Sequence, residues 1–208
     1  MANEEVKRSG LLIVFSGPAG SGKGTVLGKL FEMRSDCVNS VSATTRAPRP
    51  GEIDGVNYHF ISEETFNNWI SQDLFIEWDH HFKAYYGTPR QFVEENLKNG
   101  KNVILEIDDN GGLEVMKKEP GCVSIFLSPP SWEVLEARLR GRGTETDEQI
   151  TSRMLKAKTE IKHMKDYQYI VVNDTVEAAA ARINAIIEAE LSKTRRVLLD
   201  KVVDFDVL

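Results

Sequence analysis

The chain has two cysteines in 208 residues, Cys37 and Cys122, far apart and without a C-x-x-C pair. Neither a zinc-ligand pattern nor a disulfide framework is suggested, so both thiols read as packing residues. A basic excess is also missing: 26 Lys and Arg against 32 Asp and Glu leave a formal net charge of −6. Sequence-independent nucleic-acid binders gain affinity by neutralising phosphates along a basic face, so that class is disfavoured, and a polyanionic ligand has to be met by local arginine clusters. No stretch approaches the ~18 apolar residues of a membrane span. The opening Met1-Ala2-Asn3-Glu4-Glu5-Val6-Lys7-Arg8 is polar, without an apolar core segment. A cytoplasmic protein with no membrane or nucleic-acid partner is the expectation. Oligomeric state stays open. Internal repeats and low-complexity tracts are lacking too.

What is present begins with 41% hydrophobic residues, enough in a chain this long to bury roughly 70% of the unfolded surface in one core. Apolar β-like runs recur at residues 11–16, 103–107, 123–127 and 169–172, each followed by a turn or an amphipathic segment. That rhythm predicts a parallel sheet flanked by helices. Thr146-Asp147-Glu148-Gln149 and Asp174-Thr175-Val176-Glu177 both fit the capping box and predict helices after them, the second running from residue 176 to about 193. Between the first helix and Arg90 the pattern shifts to short strand-like and helix-like pieces broken by Pro and Gly, an inserted lobe. A charged flap, Arg142-Gly143-Thr144-Glu145-Thr146, follows Gly141.

The run Leu11-Leu12-Ile13-Val14-Phe15 breaks into Gly17-Pro18-Ala19-Gly20-Ser21-Gly22-Lys23-Gly24-Thr25. A strand feeding such a loop makes a phosphate cradle: glycines turn backbone N–H groups inward, the next helix offers its positive dipole end, and Lys23 adds a full charge. The chain is expected to bind a nucleoside triphosphate. The P-loop pattern asks for Ser or Thr where Gly24 stands, and that hydroxyl normally touches Mg²⁺. Mg²⁺ is therefore expected to be held by phosphates and waters, near Thr25 and the carboxylates Glu106 and Asp108. Asp79-His80-His81 is not read as a metal site, because neighbouring strand residues point to opposite faces.

Ser42-Ala43-Thr44-Thr45-Arg46-Ala47-Pro48-Arg49-Pro50-Gly51-Glu52 resembles the signature segment of guanylate kinases. It is followed at the family's spacing by Gly55-Val56-Asn57-Tyr58, Phe75-Ile76-Glu77-Trp78 and Tyr85-Tyr86-Gly87-Thr88. The resemblance runs on through Arg138-Leu139-Arg140-Gly141-Arg142-Gly143-Thr144 and Val171-Val172-Asn173-Asp174, covering residues 11 to 191. It implies an α/β P-loop nucleoside-monophosphate-kinase fold: a parallel core (residues 10–40, 90–140 and 165–193), a mixed α+β GMP-binding lobe (41–90), a short lid (141–160) and a tail (194–208). It also implies transfer of the γ-phosphoryl group of ATP to GMP, with Mg²⁺.

Residue by residue, Arg46 and Arg49 bracket a proline and suit a forked grip on a monophosphate, and Tyr58 and Tyr86 offer phenolic donors to it. Glu77 suits base recognition, because guanine's N1–H and exocyclic amine are adjacent donors that one carboxylate can accept together. Ser42 and Thr88 resemble the hydroxyls at the base edge, and Asp108 the carboxylate near the amine. Arg138, Arg142 and Arg153 match arginines that close over the triphosphate, and Asn173 matches a position bordering adenine. Where the family usually has Asp-Ile-Asp and then Gln before the glycine, this chain has Glu106 and Asn110. Two rivals stand beside this reading. One is another nucleoside-monophosphate kinase, opposed by Glu77 with Ser42 and Thr88. The other is a non-catalytic, protein-binding guanylate kinase-like domain, opposed by Lys23, Arg138 and Arg142.

Overall fold

The computed structural model describes residues 9–81, 83–141 and 146–194, with the side chain of His81 left out. Its core is a five-stranded, wholly parallel sheet of order β2-β7-β1-β8-β9. These strands are β1 (Leu12–Ser16), β2 (Cys37–Asn39), β7 (Asn102–Glu106), β8 (Val123–Ser128) and β9 (Tyr169–Val172). Helices cover both faces, which is why the central strands read as continuous apolar runs. Side chains alternate along β1. Ile13 and Phe15 pack with Val26, Leu27 and Leu30 of α1 (Lys23–Met33) and with Ile183 and Ile187 of α7 (Val176–Leu191). Val14 points the other way, into a cluster with Leu105, Phe126, Val93 of α3 (Arg90–Lys98) and Val115 of α4 (Asp109–Lys118).

The segment between α1 and α3 builds a separate four-stranded mixed sheet of order β4-β3-β6-β5. Its strands are β3 (Ala43–Thr44), β4 (His59–Phe60), β5 (Phe75–His81) and β6 (Ala84–Pro89), and α2 (Glu63–Ser71) accompanies them. A small aromatic core holds it together: Phe66 stacks on Phe75 with ring centroids 4.4 Å apart and on Tyr85 at 5.2 Å. Ile76 leaves this sheet to join the Val14 cluster of the main sheet. A third cluster, Leu135, Leu139, Ile150 and Ala157, fastens α5 (Trp132–Arg140) to α6 (Asp147–Glu160).

Three local readings need correction. Strand β2 was not expected; three residues at a sheet edge carry too little periodicity to be seen. The Thr146 capping box forms, with Gln149 N–H donating to Thr146 and the Gln149 side chain accepting from Thr146 N–H. The second cap sits one residue later than the motif suggested. Thr175 caps α7 by accepting from Ala178 N–H, because Asp174 is drawn into a bidentate pair with Arg182 at 2.7 and 2.9 Å. Helix α7 also stops at Leu191 rather than near 193. Both cysteines are buried, as packing residues should be. No helix among the described residues is long and apolar enough to cross a membrane.

Candidate active site

Register brings the site together. Phe15 lies opposite Glu106 across the β1–β7 pair, so the glycine loop and the acidic segment leave the carboxyl edge of the sheet side by side, where open α/β sheets take ligands. In the loop, Gly17 has φ 149°, and a Cβ there would stand 2.3 Å from Leu127 O; Gly22 has φ 93°, and a Cβ would stand 2.5 Å from Asn173 Nδ2. Any other residue at these two positions would have to push backbone or a buried amide aside. Lys23 opens α1, and its Nζ donates to Gly17 O at 2.6 Å. Burial holds its ammonium below the ordinary 10.5, opposed by Glu106, Glu160 and Asp108.

Two cavities adjoin. One, of about 330 Å³, is lined by Gly17, Ala19 and Lys23 on the loop side, with Lys156 and Glu160 of α6 facing them. The other, of about 240 Å³, is lined by Glu77, Asp79, Tyr86 and Gly87. They share Ser42, Tyr58, Glu106, Ile107 and Asp108, so they form one continuous cleft from the phosphate loop to Glu77. A third hollow runs outside the loop past Gly20, Gly22, Gly24 and Thr25 to Glu106.

At the far end, a register shift in β5 between Phe75 and Glu77 sets Glu77 opposite Thr88. Thr88 is fully buried and donates to Glu77 Oε1 at 2.6 Å. Thr88 is not among the residues facing the cavity; it holds the carboxylate that is. Glu77 is 6% exposed. Burial pushes its carboxyl up to about 7, the Thr88 hydrogen bond pulls it down, and Asp108 and Asp79 push it up further. Asp108 caps α4 by accepting from Gly111 N–H at 2.9 Å.

The arginines lie elsewhere. Arg46 grips Glu52 with two hydrogen bonds of 2.8 and 2.9 Å and lies 5.3 Å from the Tyr58 ring centroid. That pairing pulls Glu52 down to about 2. Arg49 is exposed. Arg138 is not among the residues lining these two cavities; it donates to Ser21 O at 3.2 Å and Asn173 O at 3.0 Å. Asn173, expected beside adenine, is 2% exposed and donates to the same Ser21 carbonyl at 2.7 Å. Both side chains brace the phosphate loop through the Ser21 carbonyl. Arg153 is exposed on α6, and Arg142 lies outside the described residues. Asn39, Ser40, Asn57, Lys156 and Glu160 line the cleft without having been singled out from the sequence. Ser40 Oγ is buried with no partner among the described residues. The neighbouring motif around Ser42 was the available signal for the first three; Lys156 and Glu160 had none.

A parallel sheet with a glycine loop and lysine at its carboxyl edge, opening toward a second lobe with a buried carboxylate, defines a P-loop phosphoryl-transfer enzyme of the nucleoside-monophosphate-kinase class. The comparisons narrow that class. The family model described as guanylate kinase matches residues 9–190. The chain is 52% identical over 192 residues to a guanylate kinase of Halalkalibacterium halodurans, covering 92% of this chain and 94% of that protein. It is 49% identical over 191 residues to one of Caldanaerobacter subterraneus subsp. tengcongensis, covering 92% and 93%. Among solved structures, the guanylate kinase of Anaplasma phagocytophilum superposes with a TM-score of 0.75 at 38% identity, covering 91% of this chain and 90% of that one. The chain belongs to the guanylate kinase family, and its activity is the ATP-dependent phosphorylation of GMP.

Proposed function

We propose that the cleft transfers the γ-phosphoryl group of ATP to GMP directly and in line, with donor and acceptor entering from its two ends. The observation that carries this reading is the continuity of the cleft between Lys23 and Glu77. The triphosphate lies in the glycine loop of residues 17–25, its outer phosphates facing Lys23. Glu77 accepts from guanine N1–H and the exocyclic amine, with Ser42 and Asp108 beside the base and Thr88 fixing the carboxylate. Tyr58 and Tyr86 donate to the acceptor monophosphate, joined by Arg46 and Arg49 once the lobe over residues 41–90 moves in. Arg142 and Arg153 come from the lid over residues 141–160.

An oxygen of the GMP phosphate bonds to the γ-phosphorus as the bond from that phosphorus to the bridging oxygen breaks, and ADP leaves with the electron pair. The attacking oxygen is already anionic at neutral pH, so no general base is required. What remains is alignment, charge neutralisation and exclusion of water.

Mg²⁺ fits the donor set. Glu106 and Asp108 bring two hard carboxylates to the cavity and Thr25 a hydroxyl to the adjoining hollow, while no group of three or more His, Cys, Asp or Glu gathers into a cage among the described residues. An ion that keeps several waters and binds mainly through phosphates suits such a set. When bound it neutralises phosphate charge; the residues orient the nucleotides around it. A cytoplasmic location accords with these substrates.

A coupled assay of diphosphate formation, offering GMP, AMP, UMP and dTMP in turn, tests the proposal. GMP should be favoured by ~10⁴ or more, because a pocket built on buried polar groups rejects ligands that leave them unpaired. Equal turnover of AMP would defeat the guanine assignment.

A further inference from the structure

The described residues lining the phosphate end of the cleft include two ammonium groups, Lys23 and Lys156, and no guanidinium. Nothing in the mechanism above uses Lys156. It belongs to a stripe of α6 made by Arg153, Lys156 and Glu160 at i, i+3 and i+7. Lys156 Nζ lies 3.5 Å from Glu160 Oε1; the lysine side chain is 48% exposed and the glutamate 9%. Helix stability does not account for this pair. A lysine one turn before a glutamate is the weaker orientation of an i,i+4 pair, and burying its carboxylate is costly. The wider field does account for it. Glu160, held above the ordinary carboxylate range by burial, feels Lys156 and Lys23 in opposition, and Lys23 in turn feels both Glu160 and Lys156. The Lys156–Glu160 pair on α6 and Lys23 on α1 line the same cavity, the one the phosphates would fill.

We propose that Lys156 is a second phosphate-contacting cation of this enzyme, parked on Glu160 while the cleft is open and delivered to the transferring phosphoryl group when both nucleotides are bound. As the new bond to the γ-phosphorus forms and the old one to ADP breaks, negative charge spreads over three equatorial oxygens. A half-exposed ammonium on a four-carbon stem can follow that charge as a point cation, without the fixed geometry a guanidinium demands. Glu160 is a positioning residue: it keeps Lys156 at the mouth of the cavity and yields it to a stronger anion. This rests on the phosphoryl-transfer reading of the same cleft.

The test is Lys156→Gln beside Lys158→Gln, a charge-matched change at an exposed position of α6 outside the cleft lining. Lys156→Gln should lower kcat with GMP by roughly 10-fold, leave the KM values for ATP and GMP within about twofold, and weaken binding of an analogue joining adenosine and guanosine through five phosphates by about the same 10-fold. Lys158→Gln should match the unaltered enzyme in all of these, and both variants should melt alike. Lys156→Arg should recover most of the rate. Glu160→Gln should lower kcat less than Lys156→Gln, and increasingly so as salt is raised. If the two glutamine variants share the same kcat and analogue affinity, or if the loss is confined to KM, the proposal falls. Turnover of GMP by the unaltered enzyme reports on the cleft as a whole, whereas the difference between the two variants reports on Lys156 alone.

Discussion

At the scale of single residues, Glu77 is the side chain whose environment says most. Its carboxyl is pushed from 4.5 to about 7 chiefly by burial, so near neutral pH it is divided between charged and uncharged forms. Guanine's two donors favour the charged form. The KM for GMP should therefore rise as pH falls below 7, by up to about 10-fold per unit in the limit, while ATP affinity changes little; steady-state kinetics from pH 8 to 5.5 checks this. Stability runs the other way. The folded chain holds this proton more tightly than the unfolded chain between pH 4.5 and 7, so the group's contribution to stability is present below 4.5 and lost as pH rises through 7. Burying the charged form costs about 3 kcal/mol as an upper bound, from the difference between 4.5 and about 7. Glu77→Gln keeps an acceptor for the Thr88 hydroxyl and removes the charge. At pH 8 it should melt several degrees higher than the unaltered protein, yet lose roughly 10²–10⁴ in kcat/KM for GMP, two charge-assisted hydrogen bonds being replaced by mismatched amide contacts. A variant that melts lower would refute the burial cost assigned to the charged carboxylate, and one that keeps GMP turnover would remove Glu77 from base recognition.

At the scale of elements, the phosphate loop is held from outside itself. Asn173, just past β9, and Arg138, near the end of α5, both donate to Ser21 O, and Arg138 also reaches Asn173 O, so two separate elements converge on one loop carbonyl. Asn173→Ala removes the shortest of these bonds and opens space beside Gly22. It should lower stability by about 1–2 kcal/mol, a fall of ~2–8 °C in melting temperature for a chain of this size, and raise the KM for ATP several-fold with the KM for GMP unchanged. Calorimetry and kinetics together check this, and an unchanged KM for ATP would return Asn173 to a purely structural role. The same junction shows what a sequence can carry. The Thr146 cap was legible because its signal and its partner lie within three residues. The Asp174 cap was misread because Arg182, eight residues on in α7, competes for the carboxylate. The loop, the acidic pair Glu106 and Asp108, and Glu77 were legible from short motifs, since each motif encodes both local backbone and chemistry. Arg138 and Asn173 were matched to nucleotide contacts, yet each donates to loop backbone, a role that appears only when β9 and α5 are folded beside β1. Lys156 and Glu160 had no motif, because their place in the cleft is set by where α6 packs.

At the scale of the whole molecule, the cations of the site are spread out in a way that demands movement. Among the described residues the cations lining the cleft are lysines, while Arg46 is engaged by Glu52, Arg49 and Arg153 are exposed, and Arg138 donates to the backbone of the loop. The lining also carries the carboxylates Glu77, Asp79, Glu106, Asp108 and Glu160. An arrangement this acidic is poorly matched to two phosphate chains until arginines arrive from the lobe and from α6. The packing permits such motion unevenly. The lobe has its own aromatic core and joins the main sheet's cluster through Ile76, and α6 is fastened to α5 by a cluster of four buried side chains. The lobe can shift with its own core intact, and α6 rests on α5 through one small cluster, the kind of packing that hinge closure uses. The analogue that joins adenosine and guanosine through five phosphates spans both ends of the cleft and should draw the lobe and α6 inward. X-ray scattering should then give a radius of gyration starting near the ~17 Å of a compact chain of this length and falling on saturation. ATP alone should produce less of the change, because it leaves the Glu77 end empty. On the proposed role of Arg46, the guanidinium gives up Glu52 to reach a phosphate, so Glu52→Gln should let the lobe close more readily and strengthen analogue binding. A radius that stays constant at saturating analogue would mean that the arginines reach the phosphates by side-chain rotation alone, and that this cleft works without closing.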